Sequence, residues 1–131
     1  MTYKAIVCRI KNVRPHPNAD RIKLGDACGN QVVIGLNVEE DALGVYFPTD
    51  GKLSAKYCEE NDLYPRFDEH GVRIGGGFFS PRNSRVRTQN FRKAKSDGYW
   101  AGLNSLAWTG IHLNNLAEGL QFDTLDGHSI C

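Results

Sequence analysis

The stretch RIKLGDACGNQVVIGL, residues 21–36, is the part of the sequence that is most informative about the fold. Two runs rich in apolar and β-branched residues, 21–28 and 31–36, flank the pair Gly29-Asn30. A Gly-Asn pair between two such runs is typical of a tight β-hairpin. The stretch therefore predicts two antiparallel strands that are joined by a short turn.

Further strand signals lie on both sides of this hairpin. Apolar residues alternate roughly with others over residues 3–13, and residues 43–48 form a short apolar run that ends at a proline. Alternation returns over residues 84–91, and residues 98–103 suit a last strand. The two prolines in residues 14–20 predict a loop between the first strand and the hairpin.

The regions between these strands predict one helix and one long insertion. Ser54 is a favoured N-cap residue, and good helix formers follow it over residues 55–62. Residues 64–83 contain two prolines and four glycines, which predict a long, mobile loop or ribbon. Residues 105–108 suit a short helical turn, and the chain beyond Leu116 is expected to be weakly ordered.

Together these signals predict an all-β fold with a minor α content. Several short strands with a helix after the fourth match a five-stranded antiparallel barrel of the OB type, with one short helix and a long loop insertion. We expect residues 1–110 to form this domain. Residues 111–131 are expected to be a C-terminal extension or a linker.

The charge distribution suggests a binding site. The formal net charge is only +1, but residues 82–95 carry six basic residues and no acid, whereas residues 96–131 carry acids and no Lys or Arg. Guanidinium groups neutralise phosphates, and aromatic rings stack on bases. The predicted nucleic-acid-binding residues are Arg82, Arg85, Arg87, Arg92, Lys93, Lys95 and Tyr99. The alternative is a solvated strand face with its aromatic residues in the core, and Trp100 is expected to be a core residue.

Other candidate sites lack the context that their chemistry needs. The tetrapeptide Lys95-Ser96-Asp97-Gly98 matches the Lys-x-Asp-Gly signature of covalent nucleotidyltransferases, but no Lys or Arg follows it to hold phosphates. We expect no catalytic residue, and we interpret Asp97-Gly98 as a turn. His16 has no His or Cys at metal-ligand spacing, so no metal site is expected. The scattered cysteines predict buried thiols and one thiol at a flexible end.

Residues 16–22, His-Pro-Asn-Ala-Asp-Arg-Ile, predict a rigid corner after the first strand. Here Asp20 could form an ion pair with Arg21, and Asn18 and Asp20 could bind nearby backbone amides. The corner, together with the strand before it, resembles the entry to OB domains of the tRNA-binding type. A purely structural role for the corner is favoured over a binding role.

A more selective set of motifs points to another family. It comprises residues 31–33, 44–48, 50–54 and 85–88. Lys93 and then Gly102-Leu103 follow these residues in the sequence. This order resembles the N-terminal OB domain of RNA ligases typified by the Deinococcus enzyme, over about residues 3–107. The glycine-rich insertion at 71–79 departs from the pattern of that family.

The resemblance implies a module that precedes an adenylating ligase domain, or a free-standing relative. The residues to which it assigns the holding of nucleic-acid ends are Arg85, Arg87, Arg92 and Lys93. It also implies no cofactor in this chain, because ATP and magnesium would belong to the missing ligase domain. That domain would be a partner in cis or in trans.

The expected function is therefore nucleic-acid binding for an ATP-dependent RNA ligase-like protein, which holds RNA or nicked duplex. Whether the protein is an enzyme stays open, and this chain alone is expected to be non-catalytic. The alternatives are a tRNA-binding module and a protein-interaction domain that uses the loop at 64–81. No run approaches the roughly 20 apolar residues of a membrane span, and no secretion signal is evident, so we expect a cytoplasmic protein. We also expect a monomer with no membrane partner.

Overall fold

The computed structural model describes residues 3–77, 79, 84–91 and 93–131, with backbone alone for residue 91. The chain is mostly strand with little helix, as the sequence predicts. The strands are β1 Ala5–Arg9, β2 Lys11–Pro15, β3 Ile22–Ala27, β4 Asn30–Gly35, β5 Leu43–Phe47, β6 Arg66–Phe67, β7 Arg73–Gly75, β8 Thr88–Phe91, β9 Ala94–Asp97, β10 Tyr99–Gly102, β11 Gln121–Phe122, β12 Thr124–Leu125 and β13 His128–Ser129. The helices are α1 Ala55–Glu60 and two 3₁₀ helices, Leu103–Thr109 and Leu113–Asn115.

The predicted hairpin is present, with its turn one residue earlier than expected. Strands β3 and β4 pair antiparallel, and Ala27 lies opposite Asn30 at the end of the ladder. The two turn residues are Cys28 and Gly29, with φ of 50° and 81°. A two-residue hairpin turn of this kind needs positive φ at both positions, and glycine adopts positive φ without steric cost.

The first predicted strand is divided into two strands that join different sheets. Strand β1 lies in a four-stranded sheet of order β10-β5-β1-β11, and β2 lies in a three-stranded sheet of order β2-β3-β4. The register of β2 against β3 shifts between Lys11 and Arg14, and Asn12 has φ of 55°. Such a bulge bends a strand, and this bend lets one continuous segment serve both sheets.

The three-stranded sheet meets the separate β8–β9 hairpin where β4 lies alongside β9, and β9 continues through Gly98 into β10 of the four-stranded sheet. Here the Gln31 side-chain amide donates to the Lys95 carbonyl at 2.7 Å, and the Val33 N–H donates to Ser96 Oγ at 3.1 Å. Among the described strands, no backbone ladder joins β4 to β9, so the two sheets are not closed into one. The five-stranded barrel therefore stays a prediction.

Helix α1 begins at the predicted cap. The Ser54 hydroxyl accepts the Tyr57 N–H at 3.0 Å, which satisfies one of the free amides of the first turn. The helix ends at Glu60, two residues before the predicted end at Asp62, and Asn61 is its C-cap.

The core has two parts, which lie on opposite sides of β1. Ala5 and Val7 belong to the larger cluster, and Cys8 belongs to the smaller one with Ile10, the residue after β1. Strand β1 is thus nearly apolar on both faces, which explains why its sequence alternates only roughly.

The end of the chain is not weakly ordered, so that expectation is wrong. Leu116, Phe122, Leu125 and Ile130 are buried in the larger cluster, and β11 pairs with β1. The Ser54 N–H donates to the Ile130 carbonyl at 2.9 Å. These apolar residues are widely spaced among polar ones and therefore show no periodicity. The domain boundary at residue 110 stays a prediction.

The described part of the 64–83 insertion forms a hairpin of β6 and β7. Three of its apolar side chains are more than half exposed, namely Phe67, Val72 and Ile74. Residues 78 and 80–83 of this insertion lie outside the described residues.

The exposed cysteine is Cys28 in the hairpin turn rather than a cysteine at the chain end. Cys8 and Cys58 are buried and Cys131 is half-buried, and all four thiols are free. No helix in the described ranges has the length and apolar character needed to cross a membrane.

Candidate nucleic-acid interface

The site begins with an extended segment that precedes β8. Val86 is 1% exposed, and its backbone bonds to Asp50 and Gly51 at 2.9 and 2.7 Å. The side chains of Arg85 and Arg87, on either side of Val86, are exposed. Because side chains alternate along an extended chain, burial of Val86 directs both arginines to solvent. The predicted strand 84–91 is regular only from Thr88, which is a correction to its start.

Both arginines are unpaired within the part of the chain that the structure describes. Neither Arg85 nor Arg87 forms a side-chain hydrogen bond or an ion pair there. A guanidinium group offers five N–H donors in a fixed plane. Two such groups are therefore available to an external acceptor.

The two predicted lysines of the site lie on the β8–β9 hairpin. Lys93 is exposed in the turn, with φ of 73°. Lys95 is exposed on β9, where its Nζ lies 3.6 Å from Asp97 Oδ2. Asp97 also accepts from the Thr88 hydroxyl at 2.7 Å. The local carboxylate therefore partly offsets the charge of Lys95. Arg82 and Arg92 lie outside the described residues.

The Lys-x-Asp-Gly tetrapeptide forms the end of β9 and the turn into β10. Gly98, with φ of 105°, forms a bend between β9 and β10, whereas Asp97 is the last residue of β9, so the predicted Asp97-Gly98 turn is a bend at Gly98 alone. Ser96, between Lys95 and Asp97, is buried where β9 lies alongside β4.

The two aromatic residues of β10 have different environments. Trp100 is 4% exposed and its Nε1 donates to the Cys8 carbonyl at 3.3 Å, so its place in the core is confirmed. Tyr99 is half-buried, and its ring is stacked on Phe47 and makes an edge contact with Phe79. Burial raises the pKa of Tyr99 to about 12, so its hydroxyl stays a proton donor at neutral pH.

A groove of about 800 Å³ lies between the loop at 18–22 and the segment at 86–90. Residues 33–35 of β4 and Tyr99 also line it. Of the predicted site residues, the groove brings together Arg87 and Tyr99, whereas Arg85, Lys93 and Lys95 lie outside its lining.

Sequence reasoning missed other residues that line this groove, among them Arg21, Phe79 and Gln89. Arg21 belongs to the corner at 16–22, whose role was expected to be structural. The signal that could have found it is the mixture of one arginine with two small polar residues in an exposed loop. Tertiary packing brings Arg21 close to residues 86–90, and the sequence pattern around Arg21 does not reveal that packing.

The corner is held by His16 rather than by an ion pair between Asp20 and Arg21. His16 is 5% exposed, and its Nδ1 accepts the Asn18 N–H at 2.9 Å. The expected ion pair between Asp20 and Arg21 is not formed, as far as the structure describes the chain. Both side chains are exposed. The described residues also contain no group of three or more His, Cys, Asp or Glu placed to hold a metal ion.

Comparison with known proteins identifies relatives in fold. No protein-family model matches the sequence, and no curated protein matches it significantly. Solved structures of the Naegleria gruberi RNA ligase do match. A variant with ATP and manganese has a TM-score of 0.67 at 19% identity, over 100% of this chain and 36% of the ligase chain.

Two more structures of that ligase also match the fold of this chain. Another variant with ATP and manganese gives a TM-score of 0.62 at 20% identity, over 88% of this chain and 31% of the ligase. The ligase with pyrophosphate gives a TM-score of 0.56 at 19% identity, over 88% of this chain and 35% of the ligase chain. This chain thus spans about a third of the length of the ligase chains that it matches. At these identities the likeness concerns the fold, and the chain has an RNA ligase-like fold.

Proposed function

We propose that this chain is the nucleic-acid-binding module of an RNA ligase-like protein, and that it holds RNA or nicked duplex ends. The observation that carries the proposal is the pair of exposed guanidinium groups of Arg85 and Arg87, which have no partner among the described residues, on a fold shared with RNA ligases. Phosphate contacts supply most of the affinity in non-specific nucleic-acid binding.

Comparison with the other basic side chains supports this choice of surface. Several other basic residues are paired with acids: Arg9 with Glu118, Lys11 with Asp41, Arg14 with Asp26, Lys56 with Glu60 and Arg66 with Asp62. Lys4, Arg21, Lys23, Lys52 and Lys93 form no ion pair within the described residues. An arginine already bound to a carboxylate must give up that contact to bind a phosphate. Within the described ranges, Arg85 and Arg87 have no such contact to lose.

The strand order supports a barrel of the OB type as part of the proposal. The sheet order β2-β3-β4 continues across the β4–β9 contact, and β9 runs on through Gly98 into β10. β5 and β1 follow β10, and β1 runs on into β2. That is a circular order, with one junction made by side chains rather than by a backbone ladder. OB barrels commonly bind oligonucleotides on an exposed sheet face and its flanking loops.

The proposal assigns catalysis to another domain. The ligase chains that this fold matches are about three times as long. In the proposal, ATP and its metal ions bind a catalytic domain that acts with this module in cis or in trans. The module itself supplies affinity for the strand to be joined.

A second candidate is a tRNA-binding module. The corner at 16–22, which resembles the entry to tRNA-binding OB domains, contributes residues 18–22 to the wall of the groove. Folded tRNA would use the same arginines, because phosphate contacts do not depend on sequence.

Fluorescence-anisotropy binding to single-stranded RNA, nicked duplex and tRNA tests the proposal over a range of salt concentrations. We expect binding of single-stranded RNA and nicked duplex that weakens steeply as salt rises. A marked preference for tRNA would favour the second candidate. No binding even at low salt would contradict both, and would leave a protein-interaction domain as the alternative.

A further inference from the structure

The groove between residues 18–22 and 86–90 has an apolar floor of a size suited to a small planar ligand. Ile34 and Val86 contribute buried aliphatic carbon, and Phe79 and Tyr99 contribute aromatic rings. Its volume of about 800 Å³ lies within the range of about 300–1,000 Å³ that is typical of small-molecule pockets.

The aromatic part of this floor is fixed in place. The Phe79 N–H donates to the Leu63 carbonyl at 3.0 Å, and the Phe79 ring meets the Tyr99 ring nearly at a right angle, with centroids 5.3 Å apart. Phe47 covers another side of the Tyr99 ring at 6.1 Å. Since Tyr99 already has two ring neighbours, Phe79 is the aromatic residue that is better placed to contact a ligand.

The rim of the groove carries charge and hydrogen-bonding groups. Arg21 enters from the corner loop and Arg87 from the segment before β8. Gln89 lies two residues beyond Arg87, and its side-chain amide has no hydrogen-bond partner in the described ranges. Asp20 also lines the groove, and its carboxylate disfavours a phosphate at that point.

We propose that this groove encloses one unpaired nucleotide of the bound strand, so that the module selects unpaired over fully paired nucleic acid. The base lies on the floor beside Phe79, the Gln89 amide meets the base edge, and Arg21 and Arg87 hold the flanking phosphates. The Asp20 carboxylate accepts from amino or hydroxyl groups of the nucleotide. This inference rests on the proposed function.

A base can stack on the floor of the groove only if one of its faces is accessible, which is not the case for a paired base inside a duplex. In a duplex both faces of a base are covered by its neighbours, and only its edges are accessible. An unpaired base exposes its face, and stacking against aromatic residues contributes affinity that tolerates any base. An exposed arginine without such a floor would bind paired and unpaired strands alike.

Binding to two bulged RNA duplexes tests this inference. The duplexes are identical except that the single bulged nucleotide carries adenine in one and no base in the other. Their backbone charge is therefore the same. We expect the adenine bulge to bind about tenfold more tightly than the abasic bulge, and the abasic bulge to bind like a fully paired duplex.

Variants then assign the effect to the groove. Phe79→Ala and Gln89→Ala should each reduce the difference in affinity between the adenine bulge and the abasic bulge. Both variants should keep the salt dependence of RNA binding. Gln89→Ala leaves the aromatic cluster intact, so its result does not depend on how the cluster tolerates Phe79→Ala. The matched controls are Phe67→Ala and Gln121→Ala, at exposed positions outside the groove lining, which should keep the full difference.

The outcomes separate this inference from the proposed function. Equal, salt-dependent binding of both bulges would overturn the inference and keep the proposed function. A difference that persists in both groove variants would also overturn it, because the base would then bind elsewhere. No binding of any duplex or single strand would overturn both.

Discussion

Ser96 on β9 is bonded to Val33 on β4: its hydroxyl accepts the Val33 N–H at 3.1 Å and donates to the Gly98 carbonyl at 3.4 Å. Ser96 is 4% exposed, so neither bond is readily replaced by bulk water. Together with the bond from the Gln31 amide to the Lys95 carbonyl, this side chain links β4 to β9, whereas a ladder of backbone bonds links β3 to β4.

We therefore expect Ser96→Ala to destabilise the fold. The Val33 N–H would lose its acceptor in a partly buried place, at a cost of about 1–3 kcal/mol. Urea unfolding measures this loss as a lower midpoint with an unchanged slope. Ser129→Ala, at an exposed position of β13, is the control, and an equal effect of both substitutions would refute this role of Ser96.

The sequence predicts local elements well because local signals specify them. Ser54 predicts the cap of α1, Gly29 predicts the hairpin, and Gly98 lies in the predicted turn. The division of the first strand at Ile10 was not predicted, because apolar residues on both faces of β1 mask the bend. The burial of Ile130 was also missed, since an isolated apolar residue carries no period to detect.

The candidate site was predictable only in part for a related reason. The run of basic residues that includes Arg87 is visible in one segment of the sequence. Arg21 and Phe79 come from distant segments, and only packing brings them to the same groove. The sequence pattern alone predicts that the surface around Arg87 is basic. The groove beside that surface can be found only from the tertiary structure.

A methyl group at Gly44 should be poorly tolerated. An added Cβ would lie 2.3 Å from the Ala101 carbonyl oxygen and from the Trp100 ring, whereas at Gly35 it would meet nothing within 4 Å. We expect Gly44→Ala to cost about 1–3 kcal/mol through overpacking. Gly35→Ala should change stability far less. Thermal unfolding of both variants compares them, and similar melting temperatures would contradict the close packing of β5 on β10.

The end of the chain should contribute to global stability. Ile130 is fully buried in the larger cluster, so Ile130→Ala should cost about 2–5 kcal/mol. Leu120→Ala is the control, because Leu120 is 40% exposed. Urea unfolding that leaves Ile130→Ala as stable as the control would show that the end of the chain does not pack as described.

Alkaline pH should destabilise the folded chain. Burial raises the pKa of the Cys58 thiol from 9.0 to about 11, and raises the pKa of Tyr46 from 10.0 to about 12. The unfolded chain therefore loses these protons at lower pH than the folded chain, so the free energy of unfolding falls once pH exceeds about 9. Urea unfolding at a series of pH values measures this fall. A constant free energy up to about pH 11 would contradict the burial of these groups.

The central claim is that Arg85 and Arg87 bind phosphates, and salt-dependent RNA binding of a double variant tests it most directly. Arg85→Gln with Arg87→Gln is compared with Lys4→Gln with Lys56→Gln, which removes the same charge from exposed positions outside the groove. We predict that the arginine pair weakens binding of single-stranded RNA at low salt and lowers the slope of log affinity against log salt by about 1.4, at about 0.7 per phosphate contact. The lysine pair should bind almost as the unmodified chain does. Equal affinity and equal slope for the two double variants would contradict the claim.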